Sequence, residues 1–508
     1  MALHDYTFYD LINRNAACFR DLPAWLEADD RRTMSFGEIK HHVDRLAAGL
    51  QHAGAGKGDR IGVLGKNSLE YFLLYGAASA LGAIMLPINW RLSAEEVLFN
   101  LNDGTPKLLF VDPEYQPLID AARSRLLSVE RCFNLKPPGG GFDDFTTLTD
   151  TGAEIRPAEV GDDDGIVIIH TAAVAGRPRG ALLTQRNLIS ANVHLNLLLH
   201  LTPADVHLNL LPLFHVGGLF MATMAFHAGA LNVNMSKFDA GRALELIEEQ
   251  HVTVLFDFAP ILGSILEEQV KNGRKIDSLK HVIGIEAAEV IEKYQKLTGG
   301  IFYVMYGQTE TSAIATLGRY SDRPGSAGRP IALADVKLVD ESDCAVAPGA
   351  VGEIAVKGPM VFNRYWNLPE DTAYAFRGGW HHTGDMGRFD ADGFLFYAGR
   401  KPEKELIKPG GENVYPAEVE RAILEHPAVE MAVVFGVPDP KWKEGIKAVC
   451  RLKPGKTLTA SELTRFVGER IASFKKPQYV EFVARMPLLD NGLPDRAKVK
   501  ELYGGKPA

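Results

Sequence analysis

At 508 residues, with 46% hydrophobic and 23% charged side chains, the chain has the length of about three ordinary domains and the composition of a globular protein with a large core. Its net charge of -9 argues against nucleic acid as a partner, because that use leaves a basic footprint. The cysteines, Cys18, Cys132, Cys344 and Cys450, stand far apart, with no CxxC and no Cys/His pair. That argues against a disulfide framework or structural zinc site and fits a reducing, cytoplasmic setting.

The N-terminus lacks a basic segment followed by an apolar run, so no signal peptide is expected. Phe36 to Gly54 has helical spacing and leads into a strand at Arg60–Gly65. A helix at Tyr71–Leu81 then precedes a strand at Ala83–Ile88, and further strands follow at Leu108–Asp112, Gly165–His170, Val252–Phe258 and Gly300–Met305. Short β-rich runs alternating with helices predict an α/β fold with sheets buried on both faces. Pro137–Gly141 reads as a surface loop.

Two stretches invite comparison with a membrane span. Tyr71–Ile88 is uncharged but interrupted by Gly76, Gly82 and Pro87, and His207–Met235 lacks Asp, Glu, Lys and Arg but carries His, Gly, Asn and Pro212. Neither is a clean apolar helix of about 20 residues, so both read as core and pocket lining, and no membrane span is expected. Past Gly325 the pattern changes to short strands, Val336–Asp340, Gly352–Lys357 and Gly393–Tyr397, which predict a small β-subdomain. A polar, proline-containing junction runs from Arg400 to Glu405. Beyond it, helix Pro416–Glu425, strands Val429–Gly436 and Ile446–Leu452, and helix Ala460–Ile471 predict a separate small α+β domain.

The apolar strand ending at His170 runs into Thr-Ala-Ala-Val-Ala-Gly-Arg-Pro-Arg-Gly180. Small side chains let backbone N–H groups approach phosphate oxygens, and the arginines neutralise charge, so the segment suits a phosphate cradle. Taken alone, a turn that merely joins strand to helix is an equal reading. It is not a Walker A loop, since it has no Gly-Lys-Ser/Thr. Four more segments follow in order: Pro212-Leu-Phe-His-Val-Gly-Gly-Leu219, Tyr306-Gly-Gln-Thr-Glu310, Gly379-Trp-His-His-Thr-Gly-Asp385 and Gly410-Gly-Glu-Asn-Val-Tyr-Pro-Ala-Glu-Val-Glu420.

Together these segments resemble the motifs of the adenylate-forming, or AMP-binding, superfamily. The branch is that of acyl-CoA synthetases similar to 4-coumarate-CoA ligase, and the resemblance runs from about Asp10 to Gly504. It implies a large N-terminal adenylation domain, 1–399, made of two α/β sheet subdomains and the small β-subdomain. A hinge at 400–404 and a mobile C-terminal domain, 405–508, follow from the same resemblance.

The site residues are likewise those the resemblance implies. Thr171, Gly176, Arg177 and Arg179 belong to the phosphate loop, whose usual form is Thr-Ser-Gly-Thr-Thr-Gly-x-Pro-Lys-Gly. Here Arg179 takes the lysine's place, and Ala172, Ala173, Val174 and Ala175 depart from the pattern. Tyr306 stacks on adenine, with Gly307, Gln308, Glu286 and Ala287 beside it. Thr309 contacts the α-phosphate, and Asp385 and Arg400 take the ribose. Glu310 and Thr171 hold Mg²⁺, a hard cation suited to oxygen ligands. His215, Val216, Gly217, Gly218, Phe256, Phe258 and Gly307 line the acyl pocket, and Gly410, Gly411 and Glu412 line the coenzyme A tunnel. Thr309, Glu310, His215 and Arg400 are the catalytic set.

One position breaks the pattern. Relatives read Pro-x-x-x-x-Gly-Lys-x-x-Arg near the C-terminus, and their lysine bridges the carboxylate and the α-phosphate. Between Pro487 and Arg496 this chain keeps Gly492 but has Leu493 at the lysine position.

The implied reaction is ATP-dependent, AMP-forming ligation of a medium-chain, aromatic or alicyclic acid to coenzyme A through an acyl-adenylate, using ATP, Mg²⁺ and coenzyme A. The competing readings are a carrier-protein-loading adenylation enzyme, and a divergent binder of nucleotide or acyl-AMP with impaired adenylation. A homodimer is compatible with all of these.

Overall fold

The computed structural model describes residues 5–136, 140–174, 177–401, 405–440, 442–489 and 493–504. The chain divides into two compact units: Met1–Trp90, Leu101–His170 and Gly180–Gly399 form the first, and Arg91–Asn100, Thr171–Arg179 and Arg400–Ala508 the second. The α/β expectation holds. Among the described residues, three sheets of nine, seven and four strands precede a three-stranded sheet near the C-terminus.

The nine-stranded sheet runs in the order Arg329–Pro330, Thr316–Arg319, Ile301–Tyr306, His281–Ile285, Val254–Phe258, Val206–Asn209, Leu231–Asn234, Pro23–Glu27, Thr33–Ser35. Its interior pairs are parallel and its edge pairs antiparallel. The C-terminal ends of the parallel strands therefore lie along one edge of the sheet, where open α/β sheets place their ligands.

Two helices are buried because their sequences are apolar all round. Leu69–Leu81 is buried at every position, is capped by Ser68 Oγ accepting from Tyr71 N, and stops at Gly82 in the left-handed region (φ 66°). Val216–Ala228 is built alike and stops at Gly229 (φ 82°). Both stretches considered above as membrane spans are thus core, and among the described residues no helix is long and apolar enough to cross a membrane. Aromatic rings knit the core, with Trp25 stacked on Phe72 at 4.6 Å and Phe226 tilted against Phe72 at 5.5 Å.

Several boundaries differ from expectation for local reasons. The strand expected to end at His170 continues to Val174, and a return strand covers Arg177–Thr184. The described part of the segment expected as a small-residue loop therefore lies in two neighbouring strands of the seven-stranded sheet. Thr171 and Val174 are β-formers and nothing between them interrupts the ladder. The strand expected at Gly393–Tyr397 is Leu395–Arg400, because Gly393 (φ 79°) belongs to the preceding turn. The helix expected to reach Ile471 ends at Gly468. Of the expected Pro137–Gly141 loop, 137–139 lie outside the described residues.

In the second unit, helices Pro416–Leu424 and Ala460–Gly468 pack Val419, Ile423, Leu463 and Val467 against Val434, Ile446 and Ala448 of the sheet. Lys475 is only 4% exposed and donates to Glu418 at 2.7 Å and to Glu96. A buried ammonium of this kind needs its carboxylates to offset desolvation.

Candidate active site

The strand Ile301–Tyr306 delivers Tyr306 to the C-terminal edge of the large sheet, and the chain then turns sharply through Gly307–Ala313. Glycine is required at 307: a Cβ there would lie 1.9 Å from the Ala313 carbonyl oxygen. The turn closes with Ser312 (φ 54°) and Ala313 (φ 77°) in the left-handed region, a backbone cost that clusters at functional sites. Ala315 N donates to Tyr306 O at 2.8 Å and fixes the far side of the turn. Thr309 and Glu310 lie in the short 3-10 segment Thr309–Thr311.

Asp385 reaches the same place from the four-stranded sheet. The strand His381–Phe389 is irregular where it pairs with Glu353–Ala355, and Gly384 adopts φ 68° there. A bulge of this kind re-aims the following side chain. Glu353 supports it by accepting from Gly384 N at 2.9 Å. Tyr306 Oη donates to Asp385 Oδ2 at 2.8 Å and Gln308 Nε2 donates to the same oxygen at 2.6 Å. Asp385 is 3% exposed. Three residues expected at the nucleotide site thus meet at one carboxylate. Glu310 is held nearby by Tyr365, whose hydroxyl donates to Oε1 at 2.8 Å.

His215 is built from a second set of contacts. Asn67 clamps the turn before it, donating to Leu211 O at 2.8 Å and accepting from Leu213 N at 2.7 Å, and Tyr75 Oη donates to Leu213 O at 2.9 Å. Gly218 permits the fold-back, since a Cβ would lie 2.2 Å from Pro212 O. His215 Nδ1 accepts from Gly217 N at 3.1 Å, which places the ring proton on Nε2. The His215 ring meets Phe258 edge-on at 6.2 Å, and Phe258 meets Phe256 edge-on at 5.2 Å. A Cβ on Gly217 would press to 2.9 Å of the Phe256 ring. Val216, buried, opens the helix behind His215. Asp257, between the two phenylalanines, turns away and accepts from Leu262 N at 2.9 Å at the start of the next helix.

Gly284 lets two strands touch, because a Cβ would lie 1.8 Å from Asp257 O. Ala287 is the N-cap residue of helix Ala288–Thr298, and its N–H donates to Glu286 Oε1 at 2.7 Å. Among the described residues, Asp343, Glu353 and His382 gather ligand-type atoms within 4.8 Å of one another. The Arg377 guanidinium already bridges both carboxylates there, at 3.0 Å each, so the cluster is an ion-pair network behind Asp385.

Within the second unit, Thr171 Oγ1 donates to Arg179 O at 3.3 Å. Gly176 and the side chain of Arg177 lie outside the described structure, as do 402–404 of the expected hinge and Gly492. Arg400 is the last residue of strand Leu395–Arg400. Gly410 adopts φ 59° beneath Trp442, and a Cβ there would lie 2.8 Å from the indole ring. Gly411 closes that turn, and Glu412 pairs with Arg91. Leu493 is 61% exposed, and Leu489 N donates to Leu493 O at 2.8 Å. Arg496 anchors the following helix by pairing with Glu420 and, at 3.2 Å, with Glu405.

Sequence reasoning missed the supports. Asn67, Tyr75 and Tyr365 carry no chemistry-bearing motif and act across long sequence separations. His381 stood inside a recognised motif without a role.

Residues 12–366 match the AMP-binding enzyme family, and residues 418–493 match the AMP-binding enzyme C-terminal domain. The chain is 35% identical over 483 residues to indoleacetate–CoA ligase of Aromatoleum aromaticum, covering 94% of each protein. It is 35% identical over 465 residues to 2-succinylbenzoate–CoA ligase of Geobacillus kaustophilus, covering 91% of each. Among solved structures, a double mutant of o-succinylbenzoate CoA synthetase from Bacillus subtilis superposes with a TM-score of 0.85 at 27% identity, covering 98% of both chains. The chain belongs to the AMP-binding enzyme family.

Proposed function

We propose that the chain is an AMP-forming acyl-CoA ligase. In the first half-reaction a carboxylate oxygen attacks the α-phosphorus of ATP, acyl-AMP forms and pyrophosphate leaves. In the second, the coenzyme A thiol attacks the acyl carbonyl, the thioester forms and AMP leaves. The observation that carries this reading is the convergence of Tyr306, Gln308 and Asp385, with Glu310 on the same turn. It gives an aromatic face for adenine, a buried carboxylate for the ribose hydroxyls and a second carboxylate toward the phosphates.

The residues present fit magnesium. Glu310 offers a hard carboxylate oxygen fixed by a neutral donor, and Mg²⁺ in nucleotide sites typically takes one or two carboxylates plus phosphate oxygens. The bound cation neutralises charge on the polyphosphate. Thr309 orients the α-phosphate. Arg400 and the phosphate loop, with Thr171, Arg177 and Arg179, contribute further polar and cationic contacts. Residues 1–399 form the adenylation domain, 400–404 the hinge and 405–508 the mobile domain, whose Gly410, Gly411 and Glu412 line the coenzyme A tunnel. Alternation between two placements of that domain lets one site run both steps.

The acid is aromatic and of medium size. The edges of Phe256 and Phe258 beside His215 suit a planar ring, and ligases acting on indoleacetate and 2-succinylbenzoate are among the relatives. Four unpaired cysteines suit a reducing compartment such as the cytoplasm.

The test is a panel of aryl-acetic, cinnamic-type, benzoic and fatty acids, scored for pyrophosphate release and then for AMP released on adding coenzyme A. Acid- and coenzyme-A-dependent AMP formation is expected, fastest with an aryl-substituted acid. A chain that binds ATP yet forms no AMP with any acid is not a ligase.

A further inference from the structure

Gln308 lies against groups whose chemistry leaves its carboxamide one orientation. Its amide nitrogen is 2.6 Å from Asp385 Oδ2 and 3.0 Å from the Thr383 carbonyl oxygen. Both are pure acceptors, so the NH₂ end must face them. Its carbonyl Oε1 then points at His381 Nε2, 3.3 Å away, and that nitrogen must carry the proton. His381 is 1% exposed, with its ring against Phe362 at 5.1 Å and Phe376 at 5.9 Å, so it is packed in place.

We propose that His381 is a positioning residue for nucleotide binding: its Nε2–H fixes the Gln308 carboxamide, and Gln308 in turn orients the Asp385 carboxylate for the ribose. The inference rests on the ligase reading and deepens it. It gives Gln308 a role as a fixed donor to Asp385 instead of a direct nucleotide contact. A flipped carboxamide would set its oxygen against the Asp385 and Thr383 oxygens, and the repulsion would move the carboxylate. The histidine excludes that flip by matching a donor to Oε1. Tyr306, donating to the same Oδ2, makes the carboxylate the hub of a three-part network.

The experiment compares His381→Phe, His381→Gln and Gln308→Leu with the unaltered protein. AMP affinity is measured by calorimetry, and KM for ATP and kcat by pyrophosphate release. Phenylalanine keeps the aromatic packing and removes the donor, whereas glutamine restores an N–H near the Nε2 position. His381→Phe and Gln308→Leu should each weaken AMP binding about 5- to 10-fold and raise KM for ATP in parallel, with kcat at saturating ATP within about twofold. His381→Gln should recover most of the affinity.

Folded His381→Phe and Gln308→Leu proteins with unaltered AMP affinity would overturn the proposal. So would His381→Gln that binds as weakly as His381→Phe, since that marks a purely packing role. If His381→Phe does not fold, Gln308→Leu and Gln308→Glu decide, the latter expected to bind AMP more weakly still. Failure of the unaltered protein to bind AMP sinks the nucleotide reading itself. Normal binding by the unaltered protein and the variants alike sinks only this inference.

Discussion

Tyr365 donates its hydroxyl hydrogen to Glu310 Oε1 across 2.8 Å, and both side chains are buried. The ring is held independently, tilted against Phe362 at 4.7 Å. Tyr365→Phe should therefore keep the packing and remove one charge-assisted bond, worth about 1.5–3 kcal/mol. The expected outcome is a magnesium requirement for pyrophosphate release raised about tenfold. Transfer from preformed acyl-AMP to coenzyme A should be unchanged. Binding of Mn²⁺ with nucleotide, followed by electron paramagnetic resonance, reports the same loss without turnover. Identical cation titrations for the two proteins would contradict the role given to this contact.

Asp385 gathers two donors at one buried oxygen, so its removal takes the carboxylate from Tyr306 Oη, leaves Gln308 Nε2 with the Thr383 carbonyl alone, and deletes the acceptor proposed for the ribose. Asp385→Ala should cost about 2–3 kcal/mol of nucleotide affinity. Equilibrium binding of AMP measures this directly. Wild-type affinity in a folded variant would remove Asp385 from the nucleotide site.

The broad architecture was legible because local signals carry it. Alternating β-rich and helical runs give the parallel sheets, and a Cβ at Gly218 or Gly307 would meet backbone. What was not legible is non-local. Pro23–Glu27 joins the large sheet by pairing in parallel with Leu231–Asn234, a partner no local pattern announces. Tyr365 reaches Glu310, and Asn67 reaches the Leu211–Leu213 turn, only through the fold. The extension of the strand to Val174 is not legible because small residues suit either a loop or a strand.

Glu27 is a buried carboxyl, 4% exposed, whose pKa burial pushes up to about 7. Hydrogen bonds from Trp25 and Asn234 oppose that shift, nearby Glu70 adds to it and Lys136 opposes it. The folded state thus holds a proton that the unfolded chain gives up near pH 4.5, so stability falls as pH rises from there to about 7. Glu27→Gln removes this proton, and its stability relative to the unaltered protein should climb by about 1–3 kcal/mol between pH 5 and pH 8. Chemical denaturation at both pH values checks it; parallel curves would show that Glu27 is ionised in the folded protein throughout.

Gly410 holds a left-handed backbone with the Trp442 ring where a Cβ would sit. Gly410→Ala adds a backbone cost of about 1–2 kcal/mol and a clash, both confined to the loop assigned to the coenzyme A tunnel. Acyl-CoA formation should slow about tenfold while pyrophosphate release is spared. Equal slowing of both half-reactions would argue against a loop that serves only the second.

Leu493 stands where the family motif reads lysine, and its side chain is exposed, with Leu489 N donating to Leu493 O. A leucine donates nothing to a carboxylate or a phosphate, so on the proposed ligase reading the adenylation transition state would lack one positioned cation. Removing a single such donor typically costs about 3–4 kcal/mol. The chain should therefore adenylate slowly and transfer preformed acyl-AMP at a comparatively normal rate. Three positions on, Arg496 pairs with Glu420 and Glu405, so a lysine at 493 precedes an anchored residue. Leu493→Lys should raise pyrophosphate release about tenfold or more and leave acyl transfer nearly unchanged. Pro494 stiffens the next position, which makes Leu493→Lys/Pro494→Ile the fairer second variant. If neither variant adenylates faster, another cation already supplies the charge. Separate alanine changes at Arg177, Arg179 and Lys498, scored by the same half-reaction, identify which one, because only that change will slow pyrophosphate release further.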